Sequence, residues 1–291
     1  MFNFFANILG YILNGIYLLF KNYGIAIIIF SILAKVAMLP LSIKQQKTLK
    51  KNEKIQKEMK ILQIKHKGNQ EKLNQEMMEL YKRENLSPFG GCFSVLIQMI
   101  LIFAMFFLVR SPITYMKKVD SEAINSQIAT IKEEQGENSV SAQYPEMSII
   151  KYLQKENKTD DNKYINMNFF GLDLSQVPNE NFNDIKVFII PVLYVISSVI
   201  SVKLTSSITT KKKDDEEEKV EIKEKNENAN PEEMTQAMNN YMVWMMPILS
   251  VSISLVAPLG LALYWLVNNV IMIIERLILN KMFSKEEKED V

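Results

Sequence analysis

Lys35 is the only charged residue in the run from Tyr23 to Ile43. It precedes Ile43 by eight residues, about 12 Å of helix, farther than a lysine side chain snorkels. A lysine in mid-bilayer costs about 2.5–3.5 kcal/mol, so it normally faces water or a partner. Glu275 is the nearest candidate partner, but it stands towards the cytoplasmic end of its own apolar stretch beside Arg276. No buried carboxylate is therefore expected to meet Lys35, and a hydrated groove open to the cytoplasm accommodates it most simply. The bland alternative is a snorkelling lysine without a role. Gln98, Asn268 and Asn269 are further polar groups in apolar stretches, where amides bond to neighbouring helices or line a cavity. Each taken alone reads as structural.

Other chemistry is scarce. The chain has one cysteine, Cys92, and one histidine, His66. An intramolecular disulfide is impossible, and a zinc site of Cys and His ligands is not expected. The histidine lies in a basic segment, no span contains aspartate, and there is no Walker-type glycine loop, so neither an enzyme nor a cofactor is expected. Seventeen methionines, among them Met99, Met105, Met242, Met245, Met246 and Met272, provide adaptable apolar surface. Ordinary packing explains any single one equally well.

The elements that carry these residues follow from hydropathy. Crossing about 30 Å of hydrocarbon takes about 20 apolar residues in a helix. Five stretches qualify, at 23–43, 89–110, 185–204, 241–257 and 258–283. The fourth and fifth meet at Pro258, Leu259 and Gly260, too tightly for a loop, and must form a membrane hairpin. Segment 1–22 repeats apolar residues at helical spacing with Asn3, Asn7 and Asn14 between them, which predicts an interfacial helix lying on the bilayer. A sixth span is the alternative. The segment lacks a basic start, a cleavage site and a cysteine, so neither a cleaved signal nor a lipid anchor is expected. Pro40, Pro191 and Pro247 should bend their spans or free carbonyls.

The formal net charge of +1 conceals local excesses and points to no nucleic-acid partner. Segment 44–88 holds twelve basic and six acidic residues and reads as two amphipathic helices turning at Gly68 and Asn69. Segment 111–184 holds seven lysines against twelve acidic residues. The positive-inside rule then puts 44–88 in the cytoplasm and 111–184 outside, with the N-terminus out and the C-terminal tail 284–291 in. Segment 205–240 is too charge-dense to fold alone and is expected to be a disordered cytoplasmic linker.

In this order the features resemble one family. The run Leu86, Ser87, Pro88, Phe89, Gly90, Gly91, Cys92, Phe93, followed by Leu96, Ile97, Gln98 and Met99, is similar to the signature opening the second conserved span of YidC/Oxa-type insertases. Met38, Leu39, Pro40 and Leu41 leading into the basic hairpin, and Gln75 to Lys82 on its second arm, resemble the same family. Met246 and Pro247, then Gly260, Leu261, Leu263, Tyr264, Trp265 and Asn269, extend the likeness to the last two spans.

The resemblance implies an all-α membrane protein of five spans around a polar, cytoplasm-open groove, with a cytoplasmic helical hairpin, in a bacterial cell membrane. It implies a function in inserting and folding membrane proteins without nucleotide hydrolysis. Lys35, Gln98, Tyr264, Trp265 and Asn269 are then the expected groove residues. Nascent membrane proteins and lipids are the expected partners, together with the ribosome, targeting factors and the Sec channel. The family usually has arginine where this chain has Lys35, which keeps the charge and loses the fork of donors. A transporter or channel subunit with a Lys-lined anion pathway is the rival reading, disfavoured by the lack of an internal repeat. A purely structural scaffold comes third.

Overall fold

The computed structural model describes residues 2–66, 68–84, 90–159, 161–210 and 248–289. Its helices are α1 (Phe2–Phe20), α2 (Tyr23–Lys65), α3 (Gln70–Arg83), α4 (Gly90–Arg110), α5 (Pro112–Tyr115), α6 (Ser121–Gln135), α7 (Pro145–Lys155), α8 (Ile189–Thr210), α9 (248–256) and α10 (Leu259–Glu289). One small antiparallel hairpin joins β1 (Asn168–Phe169) to β2 (Leu172–Asp173). By length and composition, four described helices can cross a membrane, within Asn3–Phe20, Tyr23–Lys44, Ile185–Leu204 and Leu259–Leu279. In the 21-residue α4 the described apolar stretch is Met99–Arg110. Residues 241–247 of the expected fourth span lie outside the described residues.

Helix α2 is unbroken for 43 residues, so the boundary expected at 43/44 is one of composition and not of backbone. Pro40 sits inside it and removes a single intrahelical bond. The chain reverses at Gly68, with φ +121°, and Asn69, whose side chain caps α3 by accepting from Lys72 N at 3.0 Å. Ile55 and Leu80 form a small core between the arms, flanked by Met59, Leu62 and Tyr81. The apolar stretch at Ile185–Leu204 keeps the expected bounds, while its backbone begins as a 3-10 turn at 185–188 and α8 continues beyond it to Thr210, so 205–210 of the expected linker are helical. Residues 211–240 lie outside the described residues, as do residues 85–89, which include Leu86 to Phe89 of the signature run.

Segment 111–184, for which the resemblance offered no motif, is a folded cap on the ends of the spans. A helix terminus leaves backbone groups without intrahelical partners, and the cap supplies them. Leu259 N donates to Gln176 O at 2.9 Å and Gly260 N to Leu174 O at 3.0 Å, at the start of α10. Tyr23 N donates to Asn166 O at 3.0 Å, at the start of α2. The Tyr144 hydroxyl donates to Val256 O at 2.9 Å, at the end of α9. Asn22 caps α2 from its own chain, accepting from Ile25 N, while its amide donates to Asn168 O at 2.7 Å. Gly24 leaves room for Phe169, whose ring would stand 2.3 Å from a Cβ there.

The cap has its own anchor. Glu146 is buried and accepts from Ile113 N at 2.7 Å, Thr114 N at 3.1 Å and the Thr114 hydroxyl at 2.6 Å. Burial pushes its carboxyl above the ordinary range, and these hydrogen bonds pull it partly back. Helix α1 lies against α4 and α2. Asn3 accepts from the Tyr115 hydroxyl, Asn7 from Lys118 Nζ at 2.7 Å, and the Tyr17 hydroxyl accepts from Asn166 N at 2.9 Å. At Gly10 the backbone oxygen of Tyr115 would be 2.1 Å from a Cβ, a spacing that only glycine permits.

Candidate functional site

Helix α10 packs on α8 and on α2. Residues three and four apart share a helix face, which sorts its chemistry into two adjacent stripes. Tyr264, Asn268 and Glu275 form one, and Trp265 and Asn269 the other. On the second stripe, Asn269 Nδ2 donates to Ser198 Oγ at 2.8 Å, binding α10 to α8, and the Trp265 ring tilts against Tyr194 at 5.9 Å between centroids. On the first, Asn268 Nδ2 donates to Tyr264 O at 2.8 Å, and Tyr264 is buried in the main core with 1% of its surface exposed.

Lys35 is paired. Its Nζ stands 2.8 Å from Glu275 Oε2, with the two side chains 19% and 9% exposed. This corrects the expectation that no buried carboxylate meets Lys35. Helices α2 and α10 start together, since a Cβ on Gly260 would lie 3.1 Å from the Tyr23 ring. Lys35 is then about 18 Å along α2 and Glu275 about 22 Å along α10, a difference that two long side chains span. Counted inwards, eight residues separate Lys35 from Ile43 and eight separate Glu275 from Phe283. Arg276 made Glu275 look taken, but successive helical residues project about 100° apart, so a sequence neighbour need not share a partner.

The pair is incomplete. Glu275 Oε1 is buried without a hydrogen-bond partner among the described residues. Ser31 of α2 and Ser197 of α8, also buried, are satisfied by their own helices, donating to Ile27 O and Tyr194 O, both at 2.8 Å. Removing one member of a buried ion pair leaves the other uncompensated, at about 3–5 kcal/mol. A Lys35→Ala change therefore strands Glu275 instead of simply relieving desolvation.

Of the five expected groove residues, the structure brings Lys35 to α10, turns Asn269 and Trp265 to α8, and buries Tyr264 in the core. The side chain of Gln98 lies outside the described residues. Glu275 is the residue that sequence reasoning set aside, and its count from the end of the span was the signal that could have recovered it.

Residues 15–287 match the family model described as 60Kd inner membrane protein. The chain belongs to this family. Over 278 residues it is 24% identical to the membrane protein insertase YidC of Treponema denticola, covering 96% of this chain and 38% of that protein. It is 37% identical over 113 residues to the membrane protein insertase YidC of Fusobacterium nucleatum subsp. nucleatum, covering 39% and 55%. With the same-named protein of Chlorobaculum tepidum it shares 47% over 92 residues, covering 32% and 16%. The chain thus spans well under two thirds of the curated relatives it matches. As a 60Kd inner membrane protein family member with several membrane-length apolar helices, it is a multi-pass bacterial membrane protein.

Proposed function

We propose that this chain is a membrane protein insertase and chaperone that passes polar segments of its substrates along a groove at Lys35. The observation that carries the reading is an ion pair held at mid-span between α2 and α10, where a purely structural scaffold has no need of charge. Helices α2, α4, α8, α9 and α10 would form the five-span core, with the groove open to cytoplasm and lipid and the cap closing the outer side. Such a groove shortens the apolar path and hydrates a polar tail halfway across. The substrate's own spanning helix supplies the driving force through apolar burial, assisted on acidic tails by the membrane potential, worth about 2.3 kcal/mol per charge per 100 mV. No nucleotide takes part. An anion pathway is not favoured, because Glu275 neutralises Lys35.

In this reading the N-terminus is outside and the C-terminus inside. Helix α1 lies in the outer interface. Its contacts with 115–118 and Asn166 run from Asn3 to Tyr17, about 21 Å of helix, whereas a crossing helix would leave the cap after a turn or two. The basic hairpin would meet anionic lipid, ribosome, targeting factors or the Sec channel on the cytoplasmic side.

Photocrosslinkers at Met38 and Leu39, one turn from Lys35, test the reading against a ribosome-bound single-span protein. Crosslinks to the nascent tail are expected. Their absence, with crosslinks to lipid intact, would overturn it.

A further inference from the structure

The insertase reading rests on the ion pair in the groove, in which the positive charge of Lys35 is matched. Glu275 Oε2 engages Lys35 Nζ at 2.8 Å, and the glutamate is nine-tenths buried. Its second oxygen, Oε1, has no hydrogen-bond partner among the described residues. An ionised carboxylate offers about four acceptor sites, and a buried one left unmet is unfavourable. Lysine has three N–H donors, of which this contact uses one. At one depth, therefore, the pair holds spare donors and a spare acceptor, the acceptor enclosed where α2 and α10 meet.

We infer that Glu275 is a specificity-determining residue that makes the groove indifferent to the sign of a substrate's charge. This inference goes beyond the insertase reading and depends on it. An acidic group approaching Lys35 meets Glu275 at nearly the same distance, so attraction is largely offset by repulsion. A basic, hydroxyl or amide group that parts α2 from α10 has the free oxygen of Glu275 to donate to, and a carboxylate has the spare N–H groups of Lys35. The ligand class is thus any polar segment, whether acidic, neutral or basic. Specificity follows from a difference between affinities, so removing one charge of the pair should create a preference that the intact pair suppresses. A glutamate that merely holds α2 to α10 would lower every substrate alike when changed and leave their ratio untouched.

The full chain reconstituted into phosphatidylethanolamine/phosphatidylglycerol vesicles, without imposed potential, decides this. The probes are single-span proteins identical except for Asp, Asn or Lys at one position of the translocated tail, read by protease protection. With the intact pair, Asp and Lys tails should insert within about threefold of each other. Glu275→Gln should move the Asp-to-Lys ratio at least about tenfold towards Asp, and Lys35→Gln as far towards Lys. The swap Lys35→Glu with Glu275→Lys should return the ratio to that of the intact pair. An unchanged ratio in Glu275→Gln overturns the inference, whatever the total yield. If the single variants do not accumulate, a swap variant whose ratio departs more than about threefold from the parent overturns it equally. Failure of the unaltered protein to insert any of the three probes would instead sink the insertase reading and this inference with it.

Discussion

Two of the regions outside the expected spans are attached in opposite ways. The cap at 111–184 is bonded into the helix ends, completing the backbone of α2 and α10 through Asn166, Leu174 and Gln176. The hairpin formed by the far half of α2 and by α3 has a small core of Ile55 and Leu80 and is joined to the spans by the continuity of α2. Both are rich in charge, of opposite excess, and charge density does not say which of them is bonded to the helix ends. The use made of backbone groups does. A segment that supplies hydrogen bonds to span termini cannot move without uncapping them, whereas one held by its own few contacts moves as a unit.

The sharpest way to break the cap is Gly10→Ala. The new Cβ would collide with the backbone oxygen of Tyr115, and backbone cannot rotate away as a flexible side chain can. A loss of about 3 kcal/mol or more is expected, read as a lower thermal midpoint in detergent and faster amide exchange in both α1 and 112–118. Leu80→Ala should cost about 2–3 kcal/mol within the hairpin, accelerating exchange in α3 while leaving the cap unchanged. Exchange that rises equally in both regions would refute their independence. Tyr144→Phe deletes one hydrogen bond to Val256 O and should cost about 1 kcal/mol, with the exchange change confined to the junction of α9 and α10.

A smaller effect separates the two regions by pH. Because burial raises the Glu146 carboxyl above its ordinary value of 4.5, the native cap binds that proton more tightly than the unfolded chain does. The stabilisation is complete below the unfolded value and is lost as pH rises through the raised native one. Exchange in 112–118 should therefore quicken over that interval, and Glu146→Gln, whose single oxygen can keep the two backbone contacts without titrating, should flatten the profile. The smallest effect is expected at the surface: Arg83→Ala loses exposed contacts to Glu58 and Glu84 and should leave hairpin exchange unchanged within error.

Local signals were legible in the sequence and distant ones were not. A glycine followed by an N-capping asparagine marks a helical turn wherever it stands, and Gly68 and Asn69 form one here. The charge of Lys35 against its apolar run was equally plain. What escaped were choices made by residues far apart in the chain. Asn166 meets Tyr23, Gln176 meets Leu259 and Glu275 meets Lys35, and no periodicity encodes such meetings. Gly10 and Gly24 look like ordinary helical glycines until Tyr115 and Phe169 are placed against them. Tyr264, read from its motif as a groove residue, is in the core, because helical spacing tells which residues share a face and not whether water lies beyond it.

The unbroken α2 has the proportions of a lever. From Pro40 to the end of the helix at Lys65 the rod extends about 38 Å, and from Pro40 back to Lys35 about 7.5 Å. Pro40, with its missing hydrogen bond to Val36, is the natural fulcrum. The arms stand in a ratio of about five to one, so pushing the hairpin tip sideways by about 5 Å swings Lys35 by about 1 Å, with a corresponding gain in force. A sideways force on the hairpin tip would therefore reach the ion pair of Lys35 and Glu275.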